Sequence, residues 1–223
     1  MISPARSIGG GIVLSSVAVL MALAADFAPA RLVSGSRPQM PVSAIGWTEA
    51  RFHVEVDENG AVSRTTGLRA TPGALPVIEP VIASWRFRPA DYLDRRVSSA
   101  ALVVVMFRPP QLYDNVPAGA PPVDLAAASE AVPFPILETR PKYPFNAFVD
   151  GVVLVEVLVG IDGKVEEAVL VGPGAGFESA ALEAARGWVF RPARYRGQPV
   201  PAYAYLIFGF RAPVAEPPLR RPG

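Results

Sequence analysis

Few residues of this 223-residue chain could take part in catalysis or metal binding. It has no cysteine, and this absence excludes disulfides, thiolate zinc sites, iron–sulfur clusters and a cysteine nucleophile. It has a single histidine, His53. Because side chains alternate along a strand, His53 should point away from its neighbours Phe52 and Val54. We interpret it as a solvated or hydrogen-bonded strand residue and not as a ligand.

Two further patterns resemble functional motifs but lack a necessary part. The alternate glycines of residues 172–176 stand where a phosphate loop would lie, yet Phe177 replaces the third glycine of G-x-G-x-x-G. A tight strand-to-helix turn is the better interpretation. Glu166 and Glu167 are adjacent in a strand, so their side chains point to opposite faces and do not form an acid–base pair. The sequence therefore predicts no catalytic residue, no metal site and no cofactor.

The balance of charge argues against a nucleic-acid partner. There are 21 Lys and Arg residues against 20 Asp and Glu residues, which gives a formal charge of +1. Arg191, Arg194 and Arg196 surround Tyr195 and could form an anionic docking spot. Since the charges are balanced locally as well, a solvated face is the preferred interpretation.

The N-terminal segment has the composition of an export signal. Residues 7–25 carry no charge, Arg6 precedes them, and small residues such as Ala22, Ala24, Ala28 and Ala30 follow or end the run. Residues 1–30 are therefore predicted to be a signal peptide or, if uncleaved, an N-terminal membrane anchor. The first case predicts a periplasmic protein, and the second an inner-membrane protein with periplasmic domains.

The chain contains an internal repeat at an offset of 103 residues, which is 188 − 85 for the two tryptophans of the shared Trp-x-Phe-Arg-Pro-Ala motif. Without any gap, 20 of the 74 positions of residues 37–110 are identical to those of residues 140–213. We expect two tandem domains over these ranges, the first degenerate. A Pro/Ala-rich linker at 111–139 and a disordered tail at 214–223 complete the prediction.

The second copy predicts the order α β β α β. A short helix over 144–149 precedes two strands, 152–161 and 164–171, joined at a turn containing Asp162 and Gly163. A helix with an apolar stripe from Phe177 to Trp188 follows, and then a long strand over 200–211. The fold class is thus α+β, with a three-stranded antiparallel sheet packed with two helices in each domain. In the first copy, Pro76 and Pro80 predict a shortened second helix that begins at Pro80.

The second copy resembles the C-terminal domain of TonB. The resemblance rests on several spaced motifs over residues 140–213: Pro141-x-Tyr143-Pro144, the hairpin with Asp162-Gly163-x-Val165, Trp188-x-Phe190-x-Pro192-Ala193, Gly197-x-Pro199-Val200 and Phe208-x-Phe210. It implies a protein-interaction module that captures a short extended segment of an outer-membrane receptor, the TonB box, by adding it to a sheet edge.

In that family the final strand offers the binding edge, and an exposed edge strand is chemically suited to pair with another strand. The corresponding residues here are Val200, Ala202, Tyr203, Ala204, Tyr205, Leu206, Ile207, Phe208 and Phe210. The partners implied are an outer-membrane TonB-dependent receptor or another envelope protein. We also expect the two copies to pair with each other, edge to edge or through an exchanged strand, or to form a homodimer.

An alternative is a membrane-anchored energy transducer for TonB-dependent outer-membrane transport, coupled to an ExbB/ExbD-type motor. The chain departs from that pattern because its apolar run contains no histidine. Only residues 26–36 separate the run from the first copy, and they are too few to cross a periplasm. Strand capture by an exported protein is therefore the leading expectation.

Overall fold

The chain folds into two halves whose elements follow the same order, except that the first half begins with an additional short strand. The computed structural model describes residues 26–39, 48–70, 74–107, 129–144, 147 and 149–212. The elements of the first half are β1 (Phe27–Ala28), β2 (Arg31–Ser34), β3 (Thr48–Val56), β4 (Val62–Ala70), α1 (Leu75–Ala83), β5 (Arg86–Arg88), β6 (Ala90–Tyr92), β7 (Arg95–Val97) and β8 (Ser99–Phe107). Those of the second half are β9 (Phe134–Leu137), β10 (Gly151–Val159), β11 (Val165–Leu170), α2 (Glu178–Arg186), β12 (Val189–Arg191), β13 (Ala193–Tyr195), β14 (Gln198–Val200) and β15 (Ala202–Phe210).

The two halves match at the offset that the sequence repeat gives. Seven elements of the first half begin and end 103 residues before an element of the second half, as in 134 − 31 and 210 − 107. In order, β2, β3, α1, β5, β6, β7 and β8 correspond to β9, β10, α2, β12, β13, β14 and β15. Individual hydrogen bonds match too: the indole of Trp85 donates to the Ser36 carbonyl (2.9 Å), and that of Trp188 to the Thr139 carbonyl (2.8 Å).

One six-stranded sheet contains strands of both halves, in the order β11-β10-β15-β8-β3-β4. Strands β10 and β15 are antiparallel, as are β3 and β8, whereas β15 and β8 are parallel and pair Ala204–Gly209 with Leu102–Phe107. The predicted edge-to-edge pairing of the two halves is confirmed. The expectation of two separate three-stranded sheets is wrong, because this pairing joins them.

Two hydrophobic clusters lie on opposite faces of the sheet, and each contains residues of both halves. Cluster 1 surrounds α1 and includes Ile78 and Trp85; cluster 2 surrounds α2 and includes Trp188. Side chains alternate along a strand, so the two central strands supply both clusters. Tyr205 and Ile207 of the second half lie in cluster 1, and three residues of the first half lie in cluster 2: Leu102, Val104 and Met106. Each half therefore completes the core of the other.

Helix α1 begins earlier than its prolines predict. It starts at Leu75, so Pro76 lies in the first turn, where an N–H has no intrahelical acceptor, and Pro80 is tolerated inside. Ile78 and Ile82 are fully buried and attach this helix to cluster 1. The prediction of a start at Pro80 is wrong because tertiary burial offsets the hydrogen bond that this proline removes.

Three predicted boundaries change. Residues 134–137, placed in the linker, form β9, which pairs with β12, and Phe134 is buried. Phe27 and Ala30, placed in the N-terminal segment, are buried in cluster 1. In the helix predicted over 144–149, residues 144, 147 and 149 are not helical, and the others lie outside the described residues. Residues 1–25, 111–128 and 213–223 also lie outside them.

No helix among the described residues is long and apolar enough to cross a membrane. Both of the helices in these ranges are nine residues long, whereas a span needs about 20. This length agrees with their role as covers for the two faces of the sheet.

The hairpin glycine Gly163 gives a test of the local geometry. Its φ is +80°, and a Cβ there would lie 1.9 Å from the Phe190 carbonyl oxygen, whereas Gly197 has the same φ and open space around it. We expect Gly163→Ala to lower the free energy of unfolding by about 2 kcal/mol and Gly197→Ala by about 1 kcal/mol, measured by urea denaturation. Equal effects would show that the close approach to Phe190 does not matter.

Candidate functional site

Strand β15, which contains all but one of the predicted peptide-binding residues, lies inside the sheet between β10 and β8. Tyr203 is half-buried, and Val200 belongs to β14. The other predicted residues are all buried: Ala202, Ala204, Tyr205, Leu206, Ile207, Phe208 and Phe210. The prediction that this strand offers a free edge is wrong. Strand β8 occupies the position that an added strand would take.

The sequence of β15 contains a pattern that is consistent with its place inside the sheet. Residues 204–208 are apolar on both faces, and such a continuous run is typical of a strand that is covered on both sides. An antiparallel edge strand with one solvated face would alternate instead.

The outer strands of the sheet are β4 and β11. Among the described residues, the sheet pairs β11 only with β10 and β4 only with β3. Ser63, Arg64, Glu166 and Glu167 are exposed on these two strands. These edges are the places where the sheet can accept a further strand.

The backbone of β11 presents alternate hydrogen-bonding groups to the outside. The Val171 amide donates to the Leu154 carbonyl at 2.9 Å, and Val169 pairs with Glu156. In an antiparallel ladder the intervening residues turn their N–H and C=O groups away from the partner strand. The outward groups are therefore those of Ala168 and Leu170.

An ion pair with a buried carboxylate fixes the N-terminal ribbon of β2 and β5 against the second half. Arg31 donates to Glu156 at 2.9 Å, and the Leu32 amide donates to the hydroxyl of Tyr205 at 2.7 Å. The Glu156 side chain is only 4% exposed, and the Tyr205 hydroxyl donates to its second oxygen at 3.3 Å. Glu156 is thus satisfied from two directions, as a buried carboxylate must be.

The titration of this group of side chains follows from its surroundings. Burial raises the pKa of Tyr205 far above its usual range, and the nearby Glu156 carboxylate adds to the effect. The hydrogen bond to Glu156 raises the pKa of Arg31. The tyrosine therefore stays a neutral donor and the arginine a cation at all ordinary pH values.

A second group of charges lies on the opposite face. Arg51 is 8% exposed in its side chain and contacts Glu49 at 2.7 Å and Glu138 at 2.6 Å. Its guanidinium also lies 5.6 Å from the centre of the Phe134 ring. Burial raises the pKa of Glu138, and the charge of Arg51 opposes that shift. This group joins β3 of the first half to the end of β9 in the second.

The two buried charged residues, Arg51 and Glu156, were missed by reasoning from the sequence. Glu156 interrupts the otherwise apolar strand β10, which is the signal that could have found it. Strand β3 contains several other polar residues, so Arg51 has no such signal. They are structural ties between the halves.

His53 occupies a half-buried position on β3, on the face opposite to Phe52 and Val54, as predicted. Its Nε2 atom is buried and has no hydrogen-bond partner among the described residues. The interpretation of His53 as a solvated or hydrogen-bonded strand residue and not as a ligand stays a prediction. Burial lowers the pKa of His53, and the charge of Glu55 opposes the shift.

Stability should fall at mildly acidic pH because of His53. The unfolded chain protonates this histidine near its usual pKa of 6.5, while the folded chain keeps it neutral to lower pH. The unfolded state then binds more protons, so the free energy of unfolding decreases as pH falls through 6.5, by at most about 1.4 kcal/mol per unit. Chemical denaturation between pH 8 and 5 measures this effect. His53→Gln should show a flatter profile, and parallel profiles would contradict the assignment.

The remaining candidate motifs form local contacts. The Gly174 amide donates to the Glu178 carboxylate at 2.9 Å, so the glycine turn binds its own helix. Arg194 donates to the Gly197 carbonyl, and the Arg196 guanidinium lies over Tyr195. The described residues contain no group of three or more His, Cys, Asp or Glu side chains suited to a metal ion.

Comparison with known families assigns the second half. Residues 139–212 match the family model described as Gram-negative bacterial TonB protein C-terminal. The match supports a TonB C-terminal domain in this half of the chain. No curated protein matches the chain. Domains of this family are protein-interaction modules of the Gram-negative envelope, and the matched residues comprise β10 to β15 with α2.

Proposed function

We propose that this chain is an exported protein that binds extended segments of outer-membrane or other envelope proteins by β-strand addition. The TonB C-terminal domain supports the class of partner. The observation that carries the mode of binding is the open edge of β11, whose outward backbone groups belong to Ala168 and Leu170. Backbone hydrogen bonds would supply affinity that depends little on the partner's sequence.

The first half is, in this proposal, a diverged copy of the same domain that has acquired a structural role. The offset of 103 residues between matching elements and the two equivalent indole hydrogen bonds support common ancestry. Its β8 covers the β15 edge and leaves β11 as the edge available to a partner on the side of the recognised domain. The β4 edge of the first half is the alternative position.

The side chains beside β11 suggest which segments fit. Glu166 and Glu167 are exposed and the strand itself, Val165–Leu170, carries no basic residue. Opposite charges across paired strands contribute about 0.2–1 kcal/mol each, and like charges oppose pairing. The captured segment should therefore be extended and carry at least one Lys or Arg side chain.

Export followed by cleavage fits the fold better than a retained anchor does. Phe27 is already buried in cluster 1, so an uncleaved apolar run would hold the domains directly at the membrane. Cleavage after the small residues Ala22 and Ala24 would preserve Phe27, whereas cleavage after Ala30 would remove it. We expect the mature protein to begin at Ala25 or close to it, and to be periplasmic. Energy transduction through a motor complex would need a spacer between the apolar run and Phe27, and only Asp26 lies between them.

The test uses the mature chain and synthetic peptides that cover the extended N-terminal segments of the outer-membrane receptors of the same bacterium. Fluorescence anisotropy measures binding to the wild-type protein, to Ala168→Pro and to the control Ala168→Ser. The proline removes one outward N–H of β11 and leaves the bonds to β10 intact, so we expect at least about tenfold weaker binding with little change in melting temperature.

Two results would count against the proposal. If none of the receptor peptides binds the wild-type chain, strand capture is lost. If a peptide binds and Ala168→Pro binds it equally well, the β11 edge is the wrong site, and a matched proline on β4 then identifies or excludes that edge.

A further inference from the structure

A cavity of about 480 Å³ lies between the two halves, beside the first residues of β8 and β15. Its volume is within the range of small-molecule sites. Both halves supply its polar walls: His53, Glu55 and Ser99 from the first, Arg194 and Arg196 from the second. No residue of β11 lines the cavity, although Ser63 of β4 does, so its function is independent of strand capture at β11.

The equivalent position on the other face of the sheet is filled. Ala100 lines the cavity, and its counterpart at the offset of 103 residues is Tyr203, whose ring lies under the Arg31 guanidinium. The counterpart of His53 is Glu156, which is satisfied by hydrogen bonds from Arg31 and Tyr205. The second half thus has a large side chain and a complete polar network where the first half has a hollow.

Two buried polar atoms of residues that line the cavity have no partner among the described residues. They are Nε2 of His53 and Oγ of Ser99. Folded proteins leave few buried polar atoms unpaired, and such atoms need water or a ligand. Because side chains alternate along a strand, His53 points to the face of cluster 2, whereas Ser99, which pairs with Val56, points to the face of cluster 1. Each atom therefore needs its own partner, either water or a polar group of a bound molecule.

The charged groups around the cavity favour an anion. Arg194 and Arg196 lie on the β13–β14 hairpin, and the cavity's acidic residue, Glu55, already has the Arg64 guanidinium at 4.0 Å. Arg194 uses one of its nitrogens for the Gly197 carbonyl, and a guanidinium has five N–H donors in all. Guanidinium groups recognise carboxylates well because their donors match the two oxygens.

We propose that this cavity binds a small organic carboxylate with an apolar body. The carboxylate lies at Arg194 and Arg196, and the body lies against Phe27, Ala100 and Val200, which also line the cavity. The binding site exists only in the joined molecule, because each half supplies part of it.

The test is a titration of the full mature chain, labelled with ¹⁵N, with benzoate, phenylacetate, indole-3-acetate and hexanoate, each against its uncharged amide. We expect shifts of the backbone amides of His53, Ser99 and Ala100 with the acids, and at least about tenfold weaker binding of the amides. Ala100→Tyr places in the cavity the ring that its counterpart carries and should abolish binding. The control Ala100→Ser should retain it.

A second pair of variants covers the case in which Ala100→Tyr does not fold. Arg194→Gln and Arg196→Gln should each weaken the acids by about tenfold and leave the binding of the amides unchanged. The proposal is overturned if no acid shifts these amides at millimolar concentration, which would mean a water-filled cavity. Equal binding of acids and amides, or binding that neither arginine variant weakens, would also overturn it.

Discussion

Residues 129–223, produced without the first half, should not form a stable folded monomer. The separation uncovers Leu154, Tyr205 and Ile207, which are buried in cluster 1 among residues of the first half. Each such side chain contributes about 1.5–3 kcal/mol when buried, and a small domain has only about 5–15 kcal/mol in total. The loss is comparable to the whole stability. Light scattering and circular dichroism should show an associated or unfolded chain.

The matched experiment uses residues 26–107 alone. This half leaves Leu102, Val104 and Met106 uncovered, so it should behave in the same way. A monomeric second half that melts cooperatively near the temperature of the full chain would mean that the first half is an accessory. In that case the interdependence of the two cores would be refuted.

Gly209→Val should lower the free energy of unfolding by about 3 kcal/mol. A Cβ on Gly209 would lie 2.2 Å from Cδ1 of Phe107, across the junction of β15 and β8. Overpacking of this kind typically costs about 1–3 kcal/mol, and this position allows little relaxation because Phe107 is itself fully buried. Urea denaturation of the full chain gives the value.

A double-mutant cycle assigns that effect to the contact between the halves. Phe107→Leu shortens the opposing side chain, so Gly209→Val should cost less in that background, with a coupling of about 1 kcal/mol or more. Additive effects would mean that the two residues do not touch. The clash at Gly209 would then have to be with residues of its own half.

The elements of the second half could be predicted from the sequence because local signals agree there. The turn at Asp162 and Gly163 joins β10 to β11, and the stripe from Phe177 to Trp188 becomes α2 and its flanks. These patterns depend on side-chain period and turn chemistry, which act within a few residues. The α+β class follows from them.

The candidate site could not be predicted in the same way because it depends on long-range pairing. Whether β15 is an edge is decided by β8, about 100 residues away. The apolar run of residues 204–208 indicates a strand covered on both faces, but no local pattern in Ala202–Phe210 specifies the partner strand. The repeat predicted that the halves would pair, but it did not say that this pairing would cover the proposed edge. The ion pair of Arg31 with Glu156 has a sequence separation of 125 and was missed for the same reason.

The joined sheet changes where the protein can bind a partner. In a single domain of this kind the last strand would have an open side, and here the repeat fills it with a strand of the same chain. The two remaining edges, β4 and β11, are the strands that precede the two helices. The proposed peptide site on β11 lies at the rim of the sheet, and the proposed carboxylate site lies at the junction of the halves.

The central claim is that the two halves form one sheet through β8 and β15. Amide hydrogen exchange of the full chain tests this claim most directly. We expect the amides of Leu102–Phe107 and Ala204–Gly209 to exchange only through global unfolding, with one free energy for both strands and the same dependence on denaturant. Exchange of the two strands at clearly different free energies, or rapid exchange of either strand by local opening, would contradict the account.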